Sequence, residues 1–190
     1  MHHNCHAGDY CLTKKVRASA SLGLALGGIL GLAGTFASSD SLRGLAWGVD
    51  GLALVAASAL LTVAFFRAGH DLVASGFLVF AVGQGLVVSG AAMDLARSTP
   101  SFGAGAGLWA VALILISIPP VLPRVARLLG ALAALLFAIT ALRIFSGVAL
   151  VPTSSPLPYF AYPVFVATLG AWIWALLTDR VAAAPSADAV

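Results

Sequence analysis

Glutamate is absent from this chain of 190 residues, and charge of either sign is scarce: seven Asp and ten Lys or Arg make up 9% of it. An average soluble domain has about 25% charged residues, so this chain lacks the side chains to cover a surface facing water. Cysteine occurs only at Cys5 and Cys11, which excludes a disulfide-stapled scaffold. Histidine occurs only at His2, His3, His6 and His70. With His70 at the very edge of an apolar run and no His in the interior of one, there is no axial ligand for a haem held within a membrane. There is also no base for an intramembrane serine protease, despite a superficial likeness at Ser89-Gly90. No glycine-rich phosphate loop leads into a Lys, and no helix carries paired metal-binding carboxylates. The chain is therefore expected to be no enzyme and to need no cofactor. Its net charge of +3 forms no basic patch, so nucleic acid is not an expected partner.

What the chain has is apolar length. Hydrophobic residues account for 61% of it, and the mean hydropathy is +1.02. A helix needs about 20 apolar residues to cross a hydrocarbon core of about 30 Å. Such runs occupy residues 18–37, 44–66, 70–95, 105–122, 125–147 and 159–177. Transmembrane β-strands do not fit, because they need segments of about ten residues that alternate in and out. The prediction is an all-α, six-transmembrane-helix bundle with short loops: a tail at 1–17, a membrane domain at 18–178 and a disordered tail at 179–190.

Six spans also sort the basic residues. Lys14, Lys15, Arg17, Arg67, Arg124, Arg127 and Arg180 fall on one side, and Arg43, Arg97 and Arg143 on the other. Basic residues concentrate in cytoplasmic loops, so both termini are expected in the cytoplasm and the protein in the inner membrane, with the lipid bilayer as its first partner. Lys14, Lys15 and Arg17 ahead of an apolar run ending at Ala37-Ser38-Ser39 also fit a cleavable secretory signal. That run exceeds the usual apolar stretch of about 7–15 residues, and it is read as a retained span.

Gly23, Gly27 and Gly31 recur every four residues in the first span, and Gly69, Gly76, Gly83 and Gly90 every seven in the third. Small residues let membrane helices approach closely, so both stripes read as packing faces; a dimer face or a permeation path would use the same pattern. Pro119, Pro120 and Pro123 should end the fourth helix. The three prolines of the link 151–158 are expected to hold an extended, stiff course over the outer mouth of the bundle. Trp and Tyr collect at bilayer interfaces. On that rule Tyr159, Tyr162, Trp47 and Trp109 mark the outer edge, and Trp172 and Trp174 the inner one.

Apart from His70, Asp71 and Arg127 at the basic-side ends of their runs, three ionisable residues interrupt them: Asp50, Asp94 and Arg143. In hydrocarbon such a group costs several kcal/mol unless it finds a partner or water, which makes each a candidate for function. Asp50 stands about six residues into the second run, roughly 9 Å below its outer boundary at 1.5 Å per residue. Asp94 and Arg143 fall near the same outer level, and Gln84 lies deeper on the third run. Gln84, Ala91 and Asp94 share an arc of about 80° on a helical wheel. The expected site is an outward-facing polar cavity lined by Asp50, Gln84, Asp94 and Arg143, able to bind a small polar solute or relay a proton. A structural role is the alternative: Asp94 at the water interface, Arg143 extended outwards to it, and Asp50 paired for assembly; Arg143 is the expected partner of Asp50.

The tail supplies a second candidate, since His2, His3, Cys5, His6 and Cys11 offer soft and imidazole ligands that suit zinc or copper. Their spacing matches no established zinc signature. The general form is that of small six-span bacterial inner-membrane proteins, a likeness in kind and not in motif. Two functions follow. One is transport or binding of a small polar solute or proton; the other is a non-catalytic bundle that assembles with its own copies or with another membrane protein through its glycine faces.

Overall fold

The computed structural model describes residues 12–91 and 94–182. They form six helices and, among the described residues, no strand: α1 (Lys14–Thr35), α2 (Asp40–Arg67), α3 (Asp71–Ala91), α4 (Thr99–Ser117), α5 (Arg124–Phe145) and α6 (Ala161–Leu177). The first five are long and apolar enough to cross a membrane, whereas α6 has 17 residues. The chain is thus an all-helical bundle of the membrane type. Hydrogen-bonded turns at Phe160 N–H to Pro156 and Ala161 N–H to Pro158 lead directly into α6.

Local chemistry sets the helix ends. The hydroxyls of Thr13 and Ser39 accept from the backbone N–H groups of Val16 and Leu42, which satisfies donors the first turn leaves free. At the end of α2, Gly69 takes a left-handed φ of 75°. Its N–H donates to Phe66, and that of His70 to Phe65, the paired bonds of a Schellman motif. Gly69 therefore turns the chain ahead of α3 and is not part of that helix's glycine stripe. The C-terminus of α4 faces prolines, which have no N–H to offer. Arg127 reaches back from α5 instead, donating to the carbonyls of Ser117 at 2.7 Å and Ile118 at 2.9 Å.

Each helix packs against its neighbours in sequence, and α6 closes on α1, so the six form a ring. The centre is occupied by Phe65, Phe77, Phe80, Trp109, Phe137, Phe165 and Trp172, all buried. Their rings meet at 5.0 Å for Trp109 and Phe137 and 5.1 Å for Phe77 and Trp172, both edge to face, the geometry that the aromatic quadrupole favours. Trp109, Trp172 and the partly buried Tyr162 thus face the interior of the bundle and not its outer surface. Trp174 does stand outside, 40% exposed, with the Arg180 guanidinium 4.6 Å from its ring centre. Large aliphatic residues such as Leu52 and Leu128 face outwards at 72% and 71% exposure. That arrangement suits lipid better than water.

The glycine stripes lie between helices. A Cβ on Gly23 would come 2.9 Å from the Ala53 carbonyl oxygen on α2, and one on Gly83 would come 3.1 Å from that of Gly105 on α4. Close backbone approach at these points holds α1 to α2 and α3 to α4. Because α1 sits between α2 and α6, its removal as a signal would open the ring.

Two further expectations change. The link 151–158 is folded into turns, with Val151 N–H donating to the Ser154 hydroxyl at 2.9 Å; it does not run extended. Residues 179–182, assigned to a disordered tail, are held in place. Asp179 pairs with Arg17, Ala182 N–H donates to Val121 at 2.9 Å, and His70 Nε2 lies 2.9 Å from the Ala182 carbonyl. The remainder of that tail lies outside the described residues.

Candidate functional site

Asp50 is placed by the register of α2 against α1. A Cβ on Gly27 would lie 3.2 Å from its Oδ1, and one on Gly31 would lie 3.0 Å from its Oδ2. The carboxyl occupies room that a side chain at either position would contest, so the α1 stripe accommodates the deep acid as well as the helix contact. Trp47, about one turn earlier on α2, donates its indole N–H to the Gly31 carbonyl at 3.2 Å. The same oxygen accepts from the Thr35 hydroxyl at 3.1 Å.

Asp50 and Gln84 line one cavity, together with Trp47, Ser98, Phe102, Trp109, Pro152 and Tyr162. It lies towards the end of the ring that carries the links α1–α2, α3–α4 and α5–α6, with Pro152 of the turn-rich link in its wall. The cavity leaves about 40 Å³ to the centres of water molecules. One water needs roughly 10–15 Å³ of such space, so the cavity has room for about three.

Three polar atoms in this lining are buried with no hydrogen-bond partner among the described residues: Asp50 Oδ1, Gln84 Oε1 and Trp109 Nε1. An unpaired buried group forfeits about 1–3 kcal/mol, and such groups are few in folded proteins. All three residues line the one cavity, whose polar wall suits an occupant that can hydrogen-bond. Ser98 adds another acceptor, since its hydroxyl proton is committed to the Leu95 carbonyl at 2.7 Å. No Lys, Arg or His is among the lining residues. The ion pairs among the described residues, Arg43 with Asp40 at 2.6 Å and Arg17 with Asp179, lie at the two ends of the ring.

The structure brings Asp50 and Gln84 together and leaves Asp94 and Arg143 outside. Helix α3 stops at Ala91, so the helical wheel that aligned Gln84 with Asp94 does not reach that far. Asp94 is exposed beyond the helix end, where its Oδ1 accepts from Ala96 N–H at 3.0 Å. Arg143 is exposed in the last turn of α5, a position that suits a cation at a helix C-terminus. The expected pairing of Asp50 with Arg143 is not formed.

Trp109 and Tyr162 entered the site unannounced, because interfacial preference assigned them to the bilayer edge. A usable signal was present: Ser98 followed by Pro100 is a helix start. Beginning α4 at Thr99 puts Trp109 ten residues in, about 15 Å along the axis. The metal candidates His2, His3, Cys5, His6 and Cys11 lie outside the described residues. Among the described residues, no three His, Cys, Asp or Glu side chains come together as a metal site. No protein family, curated protein or solved structure significantly matches this chain.

Proposed function

We propose that this is a small integral protein of the inner membrane, with both termini in the cytoplasm, that binds and passes a small polar solute or a proton through the cavity at Asp50 and Gln84. The observation that carries this reading is a cavity large enough for water and lined by Asp50, Gln84 and Trp109, three residues that each bury a polar atom without a partner among the described residues. The cavity lies on the side away from the seven basic residues, which makes it outward-facing by the positive-inside rule. No catalytic role is assigned to the site.

The alternative of assembly through glycine faces has one observation in its favour. Gly44 and Gly48, four apart on α2, have open space where a Cβ would stand. The stripes on α1 and α3, by contrast, are already covered by neighbouring helices.

Water access and flux test the proposal. Trp109 and Trp172 are about equally buried, at 2% and 1% exposure, but only Trp109 lines the cavity. Hydroxyl-radical labelling of the reconstituted protein should oxidise Trp109 well ahead of Trp172. Proteoliposomes under a pH gradient should show a proton flux that Asp50→Asn and Gln84→Leu abolish. Equal labelling of the two indoles, together with a flux indifferent to Asp50, would sink the reading.

A further inference from the structure

We propose that the occupant of this cavity is a small monovalent cation bearing N–H donors, of the ammonium or methylammonium class, an inference that rests on the binding function above. Charge excludes anions, because the only ionisable groups in the lining are the Asp50 carboxyl and the Tyr162 phenol, with no basic side chain beside them. Size excludes sugars, amino acids and nucleotides: space of about 40 Å³ for water centres holds only a few heavy atoms.

Hydrogen-bonding capacity narrows the class further. The wall offers acceptors in the Asp50 carboxyl, the Gln84 amide oxygen and the Ser98 hydroxyl, and donors in the Trp109 indole, the Gln84 amide nitrogen and the Tyr162 hydroxyl, with the Asp50 carboxyl the group that can balance a cation. An ammonium group supplies the donors these oxygens lack, and one accompanying water can accept from Trp109. The rest of the wall is largely aromatic and aliphatic, with Trp47, Phe102 and Tyr162 among its members. Hard metal cations prefer a shell of six or more oxygens, which this lining does not provide. Alkylammonium groups are content beside aromatic carbon.

The test is a thermal-unfolding titration of the purified full-length protein in detergent, with methylammonium chloride as probe and sodium chloride at matched ionic strength as reference. A ligand that binds only the folded state raises the midpoint in a saturable way. Methylammonium should do so, while tetramethylammonium, which has no N–H, and neutral urea should not. Asp50→Asn should weaken the response about tenfold or more, and Asp94→Asn, outside the cavity, should leave it unchanged. If Asp50→Asn does not fold, the ligand series on the wild-type protein decides alone. A response to urea or tetramethylammonium equal to that of methylammonium overturns the assignment, as does no response to any of them. In either case an Asp50-dependent proton flux would leave the binding function standing, and its absence would remove both.

Discussion

Asp50 is buried beside glycine and without a cation, and this decides what its substitution should do. Removing one member of a buried ion pair strands the other and costs about 3–5 kcal/mol. Asp50 has no such partner among the described residues, so Asp50→Asn strands nothing. That variant should accumulate to wild-type levels and unfold at a similar temperature while losing flux. Loss of folded protein in membrane extracts would show instead that the carboxylate has a structural partner. The neighbouring glycines allow packing to be separated from binding. Gly31→Ala would put a Cβ 3.0 Å from Asp50 Oδ2, whereas Gly23→Ala would press on the Ala53 carbonyl and Ala57 Cβ at 2.9 Å, away from the carboxyl. Overpacking against backbone costs about 1–3 kcal/mol, so Gly23→Ala should lower the unfolding midpoint, whereas Gly31→Ala, which meets only the end of the Asp50 side chain, should change it less. Only Gly31→Ala should weaken methylammonium binding, and equal weakening by both would mean that the cavity follows general packing and not local shape.

Helix ends carry much of what hydropathy leaves out. The apolar runs located six elements, but polar caps and turn residues set their limits. Thus the run at 70–95 continues past the end of α3 at Ala91, and the run at 105–122 begins well after the start of α4 at Thr99. Both slips moved candidate site residues: one brought Asp94 in, and the other left Trp109 out. The spacing of seven that joined Gly69 to Gly76, Gly83 and Gly90 mixed two causes in the same way. Gly69 has a φ of 75°, a conformation that costs a residue with a Cβ about 1–2 kcal/mol. Gly69→Ala should destabilise by about that amount. Gly85→Ala, in the interior of α3 with open space around the added Cβ, should be neutral or stabilise by up to about 1 kcal/mol. Arg127→Ala should destabilise by about 2 kcal/mol through loss of two charge-assisted bonds. Arg127→Lys should not restore this, because an ammonium lacks the planar fork that reaches two carbonyls. Thermal unfolding of the four variants in one detergent checks the order, and full rescue by Lys would refute the fork geometry.

At the scale of the whole molecule, class and helix number were legible because each span must be apolar along its length. The ring was not, since closure of α6 on α1 depends on which faces meet, and lipid-facing and core-facing residues are alike apolar here. Trp172 and Trp174 illustrate this: two residues apart and identical in type, one fills the ring and the other lies against Arg180. Half of the site was legible in Asp50 and Gln84, whose polarity stands out in an apolar run; the indole donor at Trp109 was hidden by a hydrophobic side chain. Orientation remains the consequence that every functional statement depends on, and the antiparallel ring makes it binary. Lys14, Lys15, Arg17, Arg67, Arg124, Arg127 and Arg180 lie at one end of the helices, and the cavity with Pro152 lies towards the other. If the basic end is cytoplasmic, the natural thiols of Cys5 and Cys11 should resist an impermeant maleimide in intact cells and react after permeabilisation. A cysteine introduced by Ser155→Cys, in the exposed link beside the cavity, should react without permeabilisation. The reverse pattern would turn the cavity towards the cytoplasm, and the cation would then enter from the cell's own pool.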